Sequence, residues 1–171
     1  MSVIAGLIDT TDNKILLASD TISVNGSTKT LSNQLEYHKV LEINDMIIGG
    51  VGTAQETSLL FQFARTHKPD TPTTKDVLAF VIEFANWKSN IESGTVNNHY
   101  LIAYDGHLFL IEHMFVTEVF DYVAIGAGAD YALAALYLDC DPELAVKVAC
   151  NLCAWCAKPV TTYETYYKGD K

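Results

Sequence analysis

SVIAGLIDTTDNKILLASD, residues 2–20, contains two apolar runs, SVIAGLI and KILLASD, separated by the turn-rich segment DTTDN. Two short runs of strand-forming residues joined by turn formers are typical of an antiparallel hairpin. We therefore expect two paired strands near the start of the chain. Ser2 then stands at the beginning of the first strand, and Asp20 ends the second.

Beyond residue 20 the chain alternates between blocks of strands and blocks of helices. The clearest further hairpin is HYLIAYDGHLFLIE, because its central Asp105 and Gly106 favour a type I′ turn. The predicted order is strands at 39–43 and 46–52, helices at 53–67 and 73–90, strands at 99–112 and 122–128, helices at 129–138 and 141–158, and a last strand. Thr73 and Asp76 form a capping box at the start of the second helix. Blocks of this kind indicate a layered α+β domain rather than a doubly wound fold.

Length and charge limit the classes of function. We expect the 171 residues to form a single domain over 1–171, with a polar C-terminal tail at 161–171. The formal net charge is −10, and no cluster of Lys and Arg offers a surface for nucleic acid. No apolar segment is long enough to span a membrane, and the N-terminus has no secretion signal. The expected location is therefore the cytoplasm, with reduced cysteines.

The run CNLCAWC, with Cys150, Cys153 and Cys156, resembles a metal-binding string. It lies, however, in a segment that predicts a helix from an N-cap at Asp141 to a stop at Pro159. Three-residue spacing then places Cys150 and Cys153 near one helical face as small core residues. No second Cys or His pair completes a tetrahedral site, so we expect neither a metal nor a cofactor.

Two glycine-rich stretches, GGVGTAQ and GAGADY, do not fit phosphate loops. The first has no Lys-Ser/Thr pair, and the second has tyrosine where a dinucleotide-binding loop needs its third glycine. The glycines indicate instead tight turns from strand to helix, at which the backbone comes close to another group.

Five segments in order resemble the proteasome β-type subunits, and the bacterial HslV peptidase and short proteasome-like proteins of bacteria and phages are especially similar. The segments are SVIAGL, HKVLEI, IIGGVGTAQETSLLFQF, YLIAYDGHLFLIE and AIGAGADYALAAL. The similarity extends from Ser2 to about Ala157. It implies the four-layer α-β-β-α sandwich of the N-terminal nucleophile hydrolases, which agrees with the strand and helix order expected above.

The resemblance also implies a hydrolase whose first residue is the nucleophile. An α-amino group has a pKa of about 8, so it can act as a general base near neutral pH. On the residue that carries the hydroxyl, it can take the hydroxyl proton without a histidine. A nearby ammonium lowers the pKa of the amine, and backbone N–H groups at a glycine turn stabilise the oxyanion.

Aligned with that family, four residues of this chain fall on catalytic positions. Ser2 falls on the N-terminal threonine, Asp20 on the acidic residue, Lys39 on the lysine and Gly49 on the oxyanion glycine. Taken singly, Asp20 could also be a turn residue at the end of a strand, Gly49 a simple turn residue, and Lys39 a solvent-exposed charge on a strand. The mechanism requires removal of Met1, which a small residue at position 2 favours.

Three features depart from the family pattern. Serine replaces threonine at position 2, Ala127 stands where the family usually has a serine, and Ala157 stands near an assisting aspartate of proteasome subunits. A gapped alignment places Met1 itself on the threonine. The sequence is thus also compatible with a catalytically inactive assembly or scaffold protein that retains Met1.

The resemblance implies partners as well. An active member would form a homo-oligomeric ring and cleave polypeptide inside it, with an ATP-dependent unfoldase as a further partner. The same nucleophile could also cleave a non-peptide amide, because a fold does not determine a substrate.

Overall fold

The computed structural model describes residues 2–25, 28–30 and 37–169. Its strands are β1 (Ile4–Asp9), β2 (Lys14–Asp20), β3 (Ser23–Asn25), β4 (Thr28–Thr30), β5 (Val40–Ile43), β6 (Met46–Val51), β7 (His99–Tyr104), β8 (His107–Glu112), β9 (Phe115–Val119), β10 (Tyr122–Ile125) and β11 (Val160–Tyr166). Its helices are α1 (Ala54–Ala64), α2 (Thr74–Lys88), α3 (Ala129–Tyr137) and α4 (Pro142–Leu152).

Two antiparallel sheets form the centre of the molecule. One has the strand order β10-β1-β2-β11, and the other is a meander in the order β5-β6-β7-β8-β9. The short strands β3 and β4 pair separately. The predicted hairpins β1–β2 and β7–β8 are confirmed, with Ile4 opposite Ser19 in the first and Tyr104 opposite His107 in the second.

Three apolar cores separate four layers. Helices α1 and α2 cover the five-stranded sheet, with Phe84 and Ile102 in their shared core. The inner faces of the two sheets share a second core that contains Ile4 and Leu101. Helices α3 and α4 cover the four-stranded sheet, with Val146 in the third core. The predicted α+β class and the four-layer α-β-β-α sandwich are confirmed.

Strand β6 shows how the sequence encodes its place between two layers. Met46 and Ile48 belong to the helix-side core, whereas Ile47 and Val51 belong to the core between the sheets. A strand that is buried on both faces is apolar throughout rather than alternating, and MIIGGV has this character.

Side-chain caps fix three helix starts. Thr53, Thr73 and Asp141 are the N-caps of α1, α2 and α4, and each side chain accepts a hydrogen bond from the backbone N–H three residues later. The caps that the sequence predicts at Thr73 and Asp141 are confirmed.

The structure differs from the sequence-based expectation in four elements. The polar segment between β2 and β5, for which the sequence predicts no strand or helix, contains β3 and β4, and its residues 26–27 and 31–36 lie outside the described part of the chain. Strand β9 was not predicted. The expected tail at 161–171 lies largely in strand β11, with residues 170–171 not described. Helix α4 ends at Leu152 rather than near Pro159, and Ala157 instead bonds to Asp20.

The strand ends define one edge of the two sheets. Ser2 precedes β1 and Asp20 ends β2, and pairing of these strands brings the two residues to the same edge. None of the helices in residues 2–25, 28–30 and 37–169 combines the length and the apolar character needed to cross a membrane.

Candidate active site

Ser2 lies against the turn between β10 and α3. Its carbonyl oxygen accepts a hydrogen bond from Gly128 N–H at 3.1 Å, and only 5% of the residue is exposed. Gly126 has φ +99°, and a Cβ atom there would lie 2.3 Å from the same oxygen. The structure therefore requires glycine at position 126, and the close backbone approach that the GAG glycines predict is confirmed.

Asp20 and Lys39 form a fully buried ion pair. Lys39 Nζ lies 2.7 Å from Asp20 Oδ1, and the two side chains are 3% and 0% exposed. The carboxylate also accepts hydrogen bonds from Val3 N–H at 2.9 Å and from Ala157 N–H at 3.3 Å. Since Val3 follows Ser2 directly, the carboxylate joins the start of β1 to the lysine.

Burial lowers the pKa of Lys39 from its ordinary value, against the charge and hydrogen bond of Asp20, which raise it. Lys39 is therefore not the solvated strand charge that its position alone allows. Only 5% of the residue is exposed, so Lys39 lies in the protein interior. Removing its charge would leave the buried Asp20 without its cationic partner.

Gly49 lies on β6 and pairs with Val40 of β5, the residue that follows Lys39. A Cβ at position 49 would lie 3.1 Å from Ile4 Cδ1, so the strand passes close to β1. The next residue, Gly50, donates its N–H to the carbonyl oxygen of Lys39 at 2.9 Å. The fold thus brings Asp20 and Lys39 into contact, with Ser2 just before β1 and Gly49 on β6. Because N–H groups alternate in direction along a strand and Gly50 faces β5, the Gly49 N–H faces Leu101 of β7.

Sequence reasoning missed several neighbours of this pair. Burial raises the pKa of Cys150 to about 11, with a further contribution from the negative charge of Asp20. Burial and Asp20 likewise raise the pKa of Cys156, whose Sγ lies 2.6 Å from the position that a Cβ on Gly128 would take. The cysteine spacing indicated a core position but not that this core adjoins Asp20.

Tyr37 was also missed. Burial raises the pKa of its hydroxyl, Asp20 raises it further, and a hydrogen bond with Thr57 opposes both effects. No local pattern distinguishes a tyrosine in a polar loop, so the sequence held no signal for this contact.

The cysteines pack as small core residues, as predicted. Cys153 and Cys156 are buried in the core beneath α3 and α4, and Cys150 packs against it. Cys153 Sγ donates to the carbonyl oxygen of Ala127 at 3.5 Å. Among the described residues, no group of three or more His, Cys, Asp or Glu side chains is arranged to hold a metal ion.

Three solved structures are similar to this one. Thiobacillus denitrificans BPH in complex with epoxomicin has a TM-score of 0.87 and 18% sequence identity, with 97% of this chain and 99% of that chain covered. Thiobacillus denitrificans BPH has a TM-score of 0.86 and 19% identity, with 98% and 100% covered. Eukaryotic HslV from Trypanosoma brucei has a TM-score of 0.71 and 17% identity, with 96% and 99% covered.

A scan against models of known protein families and a search among curated proteins both find no match. The structural similarity covers nearly the whole chain and confirms, for the fold, the resemblance to HslV-like proteasome proteins. Because the sequence identities are only 17–19%, the similarity concerns the fold, and the chemistry has to be argued from the residues of this chain.

Proposed function

We propose that the protein is a proteasome-like N-terminal nucleophile peptidase in which Ser2, after removal of Met1, is the nucleophile. The observation that carries this proposal is the Asp20 carboxylate, which accepts both Lys39 Nζ at 2.7 Å and Val3 N–H at 2.9 Å. A buried lysine is thereby held beside the start of β1. Met1 itself lies outside the described residues.

In this proposal the free amine of Ser2 takes the proton of its own hydroxyl as Oγ adds to the carbonyl carbon of a peptide bond. The amine returns the proton to the leaving nitrogen, the C–N bond breaks, and an ester on Ser2 remains. Water then adds to the ester with the amine again as base, the ester C–O bond breaks as the amine returns the proton to Ser2 Oγ, and the acid product leaves. The resemblance assigns stabilisation of the oxyanion of both tetrahedral intermediates to Gly49, a role that requires its N–H to turn from Leu101 of β7 towards Ser2.

Lys39 has an electrostatic role in this mechanism. Its ammonium raises the cost of protonating the Ser2 amine, which keeps more of the amine in the basic form. Asp20 orients the lysine and supports its charge in a site where burial opposes it. The balance between burial and the carboxylate sets how much of Lys39 remains protonated.

The proposal includes a homo-oligomeric ring that encloses the site, a polypeptide substrate, and an ATP-dependent unfoldase that delivers it. Support comes from the similar structures, which are an HslV and a BPH that is complexed with epoxomicin. The cytoplasmic location stays a prediction, which the redox state of the four thiols in native material would test.

A second candidate is a catalytically inactive scaffold of the same fold that retains Met1. It is favoured by Ala127 and Ala157, which place methyl groups where the resemblance expects a serine and an aspartate. Ala157 reaches Asp20 only through its backbone N–H. Such a protein would assemble without turning over any substrate.

Hydrolysis of a panel of fluorogenic peptides and small amides by the assembled protein tests these candidates. We expect peptide cleavage by the wild type and by Ser2→Thr, which keeps the hydroxyl, and none by Ser2→Ala. Cleavage of amides alone would replace the substrate class. Cleavage that survives in Ser2→Ala, or a ring in sedimentation that cleaves nothing, would contradict the proposal.

A further inference from the structure

A second buried polar cluster lies at the C-terminal end of β6, where the chain turns into α1. Its members are Glu56, Lys88, Asn98 and Tyr100, and each is at most 3% exposed. Buried polar groups are retained where their hydrogen bonds are satisfied, and such clusters fix one arrangement of the segments they join. This cluster joins α1, α2 and the start of β7.

Asn98 holds the β6–α1 turn, which we define as Gly52 and Thr53. Its Oδ1 accepts Thr53 N–H at 2.7 Å, and its Nδ2 donates to the Thr53 carbonyl oxygen at 2.8 Å. Nδ2 also donates to Thr57 Oγ1, one turn into α1, at 3.0 Å. One amide side chain therefore satisfies both backbone groups of Thr53 and fixes the first turn of the helix.

The turn is shaped around this side chain. Gly52 has φ +137°, and a Cβ there would lie 1.9 Å from Asn98 Oδ1, so only glycine allows the approach. On the strand side, a Cβ at Gly50 would lie 2.7 Å from Thr57 Oγ1. The first turn of α1 thus rests directly on the residue that follows Gly49.

Glu56 fixes the position of Asn98 in turn. Its carboxylate accepts the N–H groups of Asn97 and Asn98, at 3.0 and 2.8 Å. It also accepts the Tyr100 hydroxyl at 3.1 Å and pairs with Lys88 Nζ at 3.0 Å. These four donors to one buried carboxylate fix the position of the loop before β7.

The cluster also reaches the candidate active site through a side chain. Thr57, which accepts the hydrogen bond from Asn98, also hydrogen-bonds Tyr37. Tyr37 is close enough to Asp20 to feel its charge. Asn98 is therefore connected to the site through the backbone of the β6–α1 turn and through Thr57.

We propose that Asn98 is a positioning residue of the candidate active site: its side-chain amide holds the β6–α1 turn and packs the first turn of α1 against Gly50, whose N–H bonds the Lys39 carbonyl oxygen, and so it fixes the place of Lys39 beside Ser2. This inference rests on the proposed function, since only a reaction at Ser2 needs that placement. A group displaced by about 1 Å can cost a reaction about 100-fold in rate.

The test measures labelling of the assembled protein by an epoxyketone probe, in which Asn98→Ala is compared with Asn97→Ala. Asn97 is a matched control because it is the same residue type one position away, its side chain is exposed, and alanine keeps its backbone bond to Glu56. We expect Asn98→Ala to lower kinact about 10- to 100-fold, with KI changed less than about threefold. The acid limb of the pH profile of kinact should move to higher pH, because a displaced Lys39 lowers the pKa of the Ser2 amine less.

Thr57 offers a milder variant pair in case Asn98→Ala does not fold. Thr57→Ser keeps the hydroxyl that accepts from Asn98, whereas Thr57→Val keeps the shape and removes it. The proposal expects kinact near the wild-type value for serine and lower by about threefold or more for valine, within the range that misplacement produces. Equal rates for the two variants would contradict it.

Amide hydrogen exchange tests the clamp independently of catalysis. Asn98→Ala should speed exchange at Gly52 and Thr53 and leave β8 unchanged. Labelling of Asn98→Ala within twofold of Asn97→Ala, or unchanged exchange at the turn, would overturn the proposal. If neither the wild type nor Asn97→Ala is labelled, the proposed function is wrong, and the exchange rates alone decide whether Asn98 holds the turn.

Discussion

The described part of the chain contains two buried carboxylate–lysine pairs that differ in their surroundings. Asp20 and Lys39 lie 2.7 Å apart beside Ser2, and Glu56 and Lys88 lie 3.0 Å apart between α1 and α2. Lys88 Nζ also donates to the Thr95 carbonyl oxygen at 2.6 Å and lies 3.3 Å from a carboxylate oxygen of Glu92. In the second pair, both the Glu56 carboxylate and the Lys88 ammonium therefore have further polar partners.

The surroundings shift the pKa values of Lys39 and Glu56 for different reasons. At Lys39 burial dominates and the pKa is lowered. At Glu56 burial would raise the pKa, but the hydrogen bonds from Asn98, Lys88 and Asn97 hold it below its ordinary value. Dense hydrogen bonding stabilises the charged form of Glu56, whereas burial opposes the charge of Lys39 in the other pair. The Glu56–Lys88 pair therefore suits a structural anchor, and the Asp20–Lys39 pair suits a catalytic role.

The largest expected effect separates the pairs by function. Lys39→Met should lower the rate of probe labelling by at least about 1,000-fold, as loss of a catalytic group does in other enzymes. Lys88→Met should lower labelling far less, by about the 10- to 100-fold expected for a loosened β6–α1 turn. Labelling kinetics on folded, assembled variants measure both rates.

Each of these two changes leaves a buried carboxylate without its lysine, so each should cost about 3–5 kcal/mol in the free energy of unfolding. Similar losses of stability with very different losses of rate would confirm that the pairs differ in role. A comparable loss of rate in both variants would mean that the Asp20–Lys39 pair is structural.

Ser2, at the first site, and Asn98, which bonds to Glu56 of the second pair, each contact a glycine with positive φ. Substitution of these glycines should give the next largest effect. Gly126→Ala forces a Cβ to 2.3 Å from the Ser2 carbonyl oxygen, at φ +99°. We expect a cost of about 2–5 kcal/mol from backbone strain and overpacking, together with loss of labelling. Thermal or denaturant unfolding measures the first effect.

Gly52→Ala is the counterpart, since its Cβ would meet Asn98 Oδ1 at 1.9 Å. It should be as destabilising as Gly126→Ala. Tolerance of alanine at either position would show that the turn can move away from the group against which it is packed.

Thiol chemistry gives a smaller effect that reports on the site pair. Burial and Asp20 raise the pKa of Cys150 to about 11, so at pH 8 only about one thiol in 1,000 is ionised. Alkylation of Cys150 by iodoacetamide should be about 100-fold slower in the folded protein than in denaturant. Mass mapping of the modified peptide measures it, and equal rates in the two states would mean that the thiol is not desolvated.

The smallest effect concerns acid stability at Glu56. Because the folded pKa of Glu56 is depressed, its contribution is fully present above the unfolded pKa of about 4.3 and is lost as pH falls through the folded value. Glu56→Gln should therefore flatten the fall of unfolding free energy in that window, by up to about 1.4 kcal/mol per pH unit. Glu143→Gln, at an exposed i,i+4 pair with Lys147, is the control that should leave the slope unchanged.

Local patterns in the sequence predicted most of the fold. Asp105 and Gly106 adopt the positive φ angles of the predicted turn, and Thr73 and Asp141 cap their helices as expected. Strand β9 escaped prediction because its residues are exposed or half-buried and show no apolar alternation. The end of α4 was misplaced because the chain leaves the helix to reach Asp20, a contact 137 residues away in the sequence.

The site was only partly predictable for the same physical reason. Ser2, Asp20, Lys39 and Gly49 were found through a resemblance, since each alone suits an ordinary structural role. The Asn98 clamp joins residues 41 to 45 positions apart and leaves no periodic pattern. Long-range hydrogen bonds of this kind become visible only when the layers have been assembled.

The most direct measurement is the intact mass of the purified, assembled protein before and after treatment with an epoxyketone, followed by mapping of the adduct. The ketone captures the Ser2 hydroxyl and the epoxide captures its free amine, so the gain should equal one whole probe. We predict a chain that begins at Ser2, gains one probe on that residue and loses the gain in Ser2→Ala. A chain that keeps Met1 and takes up no probe, or one labelled equally in Ser2→Ala, would contradict the account.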